Sequence, residues 1–201
     1  MKLKHLFFPV LLLSLVFVTA CSETKEESKY VDWRERNEHF IDSLTTVFDS
    51  KIDPNLFAVV DQRNKKQLIF YKKIESSENG ERPLYTSRVN VLYRGMLIDE
   101  EAFKNLPVEG LLSSAYKNLN VFDGNFNGDN PDLTIDKPAM FPVIGDLVTG
   151  FGQILQIMRT GDRWEIYIPH QSGYGKNGSS PKVPGYSSLI FDLTLVSIEQ
   201  K

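Results

Sequence analysis

A single cysteine, Cys21, stands in this chain of 201 residues, directly after an apolar run. One cysteine permits no intramolecular disulfide and no cysteine-rich metal site. Whatever the chain folds into must therefore stand on packing alone. Its length allows one domain with a sizeable core plus an extension. Ahead of Cys21 the sequence has three parts. Lys2 and Lys4 give a positive start, residues 6–18 are almost wholly apolar, and Val18, Thr19 and Ala20 end the run with small residues. This is the layout of a secretory signal, and the apolar run is shorter than the roughly 20 residues that span a bilayer.

With a cysteine in the next position, the pattern resembles the lipobox of bacterial lipoproteins. The resemblance implies a signal peptide over residues 1–20, lipidation of Cys21, and a protein held to a membrane of the cell envelope, on its periplasmic or outer-surface face. Residues 21–30 are polar and nearly free of apolar groups, which reads as a flexible tether. The chain carries 23 basic against 26 acidic side chains. It shows neither the basic patch that a nucleic-acid partner calls for nor a polybasic stretch to lie on anionic lipid.

Residues 31–54 form an N-terminal helical extension. Trp33, Phe40, Leu44 and Phe48 fall near one face of a helix over 31–48, which Pro54 follows. The apolar face either packs on its own domain or pairs with a second copy; the former is favoured. From Leu56 the texture turns to β, with strands predicted over 56–60, 67–74, 86–97, 164–168 and 188–198. One compact helix lies among them, over 149–158. Between them, 101–106 and 111–119 read as short helices, followed by a loop rich in Asn, Asp, Gly and Pro. Antiparallel strands around a short helix make an α+β domain over 55–201.

Chemistry-bearing motifs are sparse. Past the signal only His39 and His170 remain, and no nucleophile elbow is present. Zinc is disfavoured by the same shortage. Asp123, Asn125, Asn127 and Gly128 match the first half of a calcium loop, but Thr134 stands where its closing glutamate belongs. A turn-rich loop is the better reading. No metal and no cofactor are expected.

The last sixty or so residues carry a more specific order. Gly150, Phe151, Met158, Gly161 and Arg163 lead into "WEIYIP", then Tyr174-Gly175, Val183-Pro184 and "SLIFDLTLVSIE". Upstream stand "VNVLYRGML" (89–97), "FDGN" (122–125) and "PAMFPV" (138–143). In this order and spacing the chain resembles the FKBP-type peptidyl-prolyl isomerases. That family implies an antiparallel half-barrel wrapped around a short helix, with an aromatic pocket between them.

By position, the resemblance makes Tyr93, Asp123 and Tyr174 the catalytic residues. It makes Phe122, Phe141, Leu147, Val148, Phe151, Val183 and Phe191 the substrate-binding ones. The chain departs from the family pattern at Phe151, which replaces the usual pocket-floor tryptophan, and at Ala139, Ile154, Lys182 and Gly185. It also carries an insertion over about 98–121. Without that insertion Phe103-Lys104 would fall on the "FD" pair and leave no carboxylate. The activity implied is cis/trans isomerisation of X-Pro bonds in exported polypeptides, with macrolide inhibitors as further ligands. The same residues also fit a chaperone or protein-binding module that isomerises poorly.

Overall fold

The computed structural model describes residues 29–99, 120–145 and 147–199. The signal, Cys21, nearly all of the tether, the helices expected over 101–106 and 111–119, and most of the insertion lie outside the described residues. The chain divides into two compact units, Met1–Val31 and Asp32–Lys201, and the sheet and its helices belong to the second.

Helix α1 (Trp33–Asp49) comes first, then β1 (Leu56–Val60), β2 (Leu68–Glu75) and β3 (Arg88–Leu97). β4 (Asn120–Gly124), β5 (Ala139–Pro142), helix α2 (Thr149–Leu155), β6 (Arg163–Ile168) and β7 (Leu189–Glu199) complete the order. The strands form one antiparallel sheet in the order β1-β2-β6-β7-β3-β4, with β5 also paired to β3. β3 is the hub. It pairs with β7 along its whole length, and on its other side with β5 through Arg88–Val91 and β4 through Arg94–Leu97. The architecture is the expected α+β half-barrel.

β6 explains the layering. All six of its residues are buried, so the sheet is covered on both faces there. Successive side chains point to opposite faces. Ile168 packs on α2, where a Cβ on Gly150 would lie 2.6 Å from its Cγ2. Only glycine lets the helix come this close. On the other face, the Tyr167 ring meets Phe40 of α1 edge-on at 6.2 Å. Further along that face, Arg163 donates to Asp192 from Nε at 2.9 Å and Nη2 at 2.7 Å, and from Nη1 to Asn130 at 2.9 Å. A buried charge needs such partners.

α1 packs on the sheet through the predicted stripe. Trp33 and Leu44 are buried, and Phe48 meets Phe70 of β2 at 5.9 Å. Asn37 lies in the same stripe and is fully buried. A buried amide needs partners; here it donates to the Trp33 carbonyl at 2.7 Å and accepts the Ser188 N–H at 2.7 Å. α2 is shorter than the expected 149–158. It ends at Leu155, and Ile157 and Met158 both turn back to the Ile154 carbonyl. Two strands were not expected. β4 and β5 are short, and β4 starts at Asn120, inside the range expected for the insertion.

Candidate functional site

Five elements bring side chains to one cleft of about 360 Å³. β3 contributes Tyr93, β4 Phe122 and Asp123, and β5 Met140, Phe141 and Pro142. Leu147 and Val148 enter from the segment leading into α2, Phe151 from its first turn, and Phe191 from β7. Tyr174 stands just past the short 3-10 turn at His170–Ser172. Strand alternation sorts β7 here: Phe191 faces the cleft, while its neighbour Asp192 faces the ion pair on the opposite side.

The aromatic walls touch one another. Phe151 lies at the centre, 5.0 Å from Phe191, 6.3 Å from Phe141 and 6.4 Å from Tyr93, all edge-to-face. Phe122 meets Phe191 at 5.8 Å, and Tyr93 meets Phe141 at 5.6 Å. Edge-to-face pairs at these distances gain beyond area burial, so the walls hold their shape. Gly95 makes room for them. A Cβ there would lie 2.6 Å from Phe122 Cζ and 2.8 Å from Phe191 Cε1.

One polar pair is set into this apolar wall. The Tyr93 hydroxyl donates to Asp123 Oδ2 at 2.8 Å, and Asp123 Oδ1 accepts the Gly124 N–H at 3.0 Å. Burial, then the hydrogen bond to Asp123, pushes the Tyr93 hydroxyl well above its ordinary pKa. Burial likewise raises that of Tyr174, with a smaller push from the Asp123 charge. Both phenols are therefore neutral donors at neutral pH. Tyr174 stands at the mouth, 38 % exposed.

Asn125 holds the pair in place. Its Oδ1 accepts the Tyr93 N–H at 2.7 Å, and its amide donates to the Val91 carbonyl at 2.9 Å and the Lys137 carbonyl at 3.1 Å. Its own N–H donates to the Tyr93 carbonyl at 3.0 Å. The half-motif that resembled a calcium loop thus serves as a brace. Among the described residues no group of three or more His, Cys, Asp or Glu side chains is placed to hold a metal ion.

Every residue that the family resemblance makes catalytic or substrate-binding lines this cleft, except Val183. That side chain is buried at 4 % exposure, in a turn where its N–H donates to the Ser179 carbonyl and its carbonyl accepts the Ser179 N–H. Met140, Pro142 and the braces Asn125 and Gly95 escaped the sequence reading. The first two lie within "PAMFPV" and were open to detection. A larger groove of about 890 Å³ opens beyond Met140, lined by Leu84, Arg88, Ile198 and others. It has no comparable aromatic convergence, so the chemistry is assigned to the smaller cleft.

Comparison with known proteins agrees with this geometry. The chain is 29 % identical over 126 residues to the FKBP-type 22 kDa peptidyl-prolyl cis-trans isomerase of Escherichia coli, a match covering 63 % of this chain and 48 % of that protein. It is 28 % identical over 131 residues to the peptidyl-prolyl cis-trans isomerase Mip of Coxiella burnetii, covering 65 % and 45 %. The chain thus spans about half the length of these curated relatives. Among solved structures, a peptidyl-prolyl cis-trans isomerase from Pseudomonas syringae pv. tomato superposes with a TM-score of 0.54 at 21 % identity, over 82 % of this chain and 96 % of that one. That likeness speaks for the fold. Residues 79–196, more than half of the chain, match the family described as FKBP-type peptidyl-prolyl cis-trans isomerase, and the chain belongs to that family.

Proposed function

We propose that this protein catalyses cis/trans isomerisation of X-Pro bonds in polypeptides outside the cytosol. One observation carries the reading: four phenylalanines enclose a cleft whose polar groups are Asp123 and the neutral hydroxyls of Tyr93 and Tyr174. The uncatalysed rotation has a barrier of about 18–20 kcal/mol because the planar amide must lose its resonance. No bond is made or broken, so neither a nucleophile nor a metal is required. A proline ring fits against Phe122, Phe141, Phe151 and Phe191. In that apolar setting the twisted amide, less polar than the planar one, loses less on leaving water.

The hydroxyl of Tyr174 and the N–H of Val148 fix carbonyls flanking the turning bond. Asp123 acts by its charge or by orienting Tyr93, a fixed electrostatic contribution at the mouth of the cleft. Each tenfold in rate needs only about 1.4 kcal/mol, so a few such fixed effects suffice. The assay is cis/trans exchange of Xaa-Pro tetrapeptides. The protein should accelerate it, with Asp123→Ala and Tyr174→Phe each slowing the reaction. A wild-type rate equal to buffer alone would sink the reading. Repeating the assay with a macrolide inhibitor of the family tests the pocket directly.

The domain organisation proposed with it is a lipoprotein signal over 1–20, lipid on Cys21, a tether over 21–30, the helical extension, and the isomerase domain with its insertion. Its support is the three-part N-terminal pattern ending at the chain's single cysteine. A thiol-reactive dye should leave Cys21 of the cell-derived protein unlabelled. Labelling of Cys21 in that material would overturn the lipid anchor.

A further inference from the structure

We propose that the first two turns of α1 are a positioning clamp for the cleft: they bond the far end of the 170–188 segment, pack near its other end at His170, and so set where Tyr174 stands. At the near end Glu38 only approaches His170, its Oε1 3.8 Å from Nε2 and beyond hydrogen-bond reach. At the far end, Trp33 Nε1 donates to Ser187 Oγ at 2.9 Å, and Asn37 Oδ1 accepts the Ser188 N–H at 2.7 Å. The Arg34 guanidinium covers the Tyr186 ring at 4.8 Å. These four helix residues occupy one side of two successive turns. The apolar contact with β2 comes further along, at Phe48.

The segment between these two ends has little slack. The His170 carbonyl accepts N–H bonds from Gly173 and Gly175, and the Gly175 carbonyl accepts the Tyr186 N–H at 2.9 Å. Tyr174 is thus bracketed by residues tied directly to both ends. Gly185 lies so close to Lys176 that a Cβ would fall 2.1 Å from its carbonyl oxygen. Tyr186 itself adopts a left-handed backbone, φ 64°. That conformation is unfavourable for a bulky residue and persists only where its surroundings hold it. Its ring is held between Arg34 and the edge of His170, 5.1 Å away. The far-end bonds are buried, with Asn37 fully covered and Ser187 and Ser188 nearly so. Removing a partner there leaves a buried donor unpaired, which is the costly way to lose a hydrogen bond.

The activity arm of the test rests on the isomerase reading; the exchange arm does not. In the full chain, Asn37→Ala should speed amide hydrogen exchange at Gly175 and Tyr186 about tenfold relative to Ile166 of β6, as expected for losing one buried bond. A global loss of stability would instead shift all three amides together. The same variant should lower kcat/KM about tenfold, while in a Tyr174→Phe background it should lower it no further, because the clamp acts through Tyr174. Asp42→Ala, on the exposed side of α1, is the control and should change neither reading. If Asn37→Ala fails to fold, Trp33→Phe, which removes the bond to Ser187 together with part of a buried ring, takes its place. Unchanged exchange at Gly175 and Tyr186, or an undiminished effect in the Tyr174→Phe background, overturns the clamp. A wild-type protein without isomerase activity would overturn the isomerase reading, and the exchange measurement would still decide the clamp.

Discussion

Adding one methyl group at Gly95 tests whether the aromatic cleft is a single packed unit. Gly95 sits in β3 opposite Asp123 of β4 and Phe191 of β7. An alanine Cβ would lie 2.6 Å from Phe122 and 2.8 Å from Phe191, each well inside ordinary contact at about 3.5 Å. Neither ring can retreat independently. They pack edge-to-face at 5.8 Å, and Phe191 also abuts Phe151 at 5.0 Å. The methyl must therefore push the wall into the cleft or force the rings off their preferred rotamers. Overpacking of this kind costs about 1–3 kcal/mol. At about 2–4 °C per kcal/mol for a domain of this size, Tm should fall by roughly 2–12 °C.

The decisive measurement is kcat/KM for a tetrapeptide substrate, taken well below the lowered Tm. Displaced walls should reduce it about tenfold or more, since a misplacement near 1 Å is enough to do so. A second substitution should relieve the clash: Phe122→Leu added to Gly95→Ala should recover part of the lost Tm, a positive coupling expected only between residues in contact. Gly95→Ala with wild-type Tm and wild-type kcat/KM would refute the claim that these rings form one wall under mutual constraint.

Two further predictions concern stability. Asp192→Asn breaks a buried bidentate pair in which both side chains are 4 % exposed. It should cost about 3–5 kcal/mol, and a Tm within about 2 °C of wild type would contradict this. The second concerns His170, whose pKa burial lowers, with Arg34 acting in the same direction and Glu38 against it. A lowered value favours the neutral imidazole in the fold, so its contribution is present above the unfolded value near 6.5 and is lost as pH falls below it. Denaturation midpoints should decline more steeply for wild type than for His170→Gln between about pH 7 and pH 5; parallel curves would refute it.

The long elements were legible because one physical rule dominates each. β-branched and aromatic runs mark β2, β3, β6 and β7, and the α1 stripe repeats Trp33, Phe40, Leu44 and Phe48 at helical spacing. β4 and β5 were not legible as strands. Each is only four or five residues long, Pro142 closes one of them, and "FDGN" carries turn chemistry. What makes them strands is β3, whose free side pairs with both. That is a tertiary cause with no local signature. Asn37 was missed for a related reason. A polar residue within an apolar stripe reads as an interruption, and its role depends on Ser188, far along the chain.

The site shows the same division more sharply. The order of motifs brought Tyr93, Phe122, Asp123, Phe141, Phe151, Tyr174 and Phe191 to one cleft. All but Tyr174 sit on an element whose alternation or first turn fixes their direction, and Tyr174 is held there by the turn after the 3-10 segment. Val183 sits in a turn, where no periodicity fixes direction; it is buried and is not among the residues lining the cleft. Asn125 shows that the same few residues support opposite inferences until their partners are known. Asp-x-Asn-x-Asn-Gly reads as oxygen ligands gathered for a cation. In the fold, Asn125 spends its side chain on the Tyr93 N–H and two backbone carbonyls, and Asp123 turns one oxygen to the Tyr93 hydroxyl. Tyr93 is thereby held at its backbone and at its hydroxyl. The negative charge of Asp123 is then fixed at the cleft mouth, with two neutral phenols near it. Rotation about an amide bond calls for a charge that is already in place and does not reorganise. On the proposed isomerase reading, a loop that binds its own strand, in place of an ion, would supply that condition.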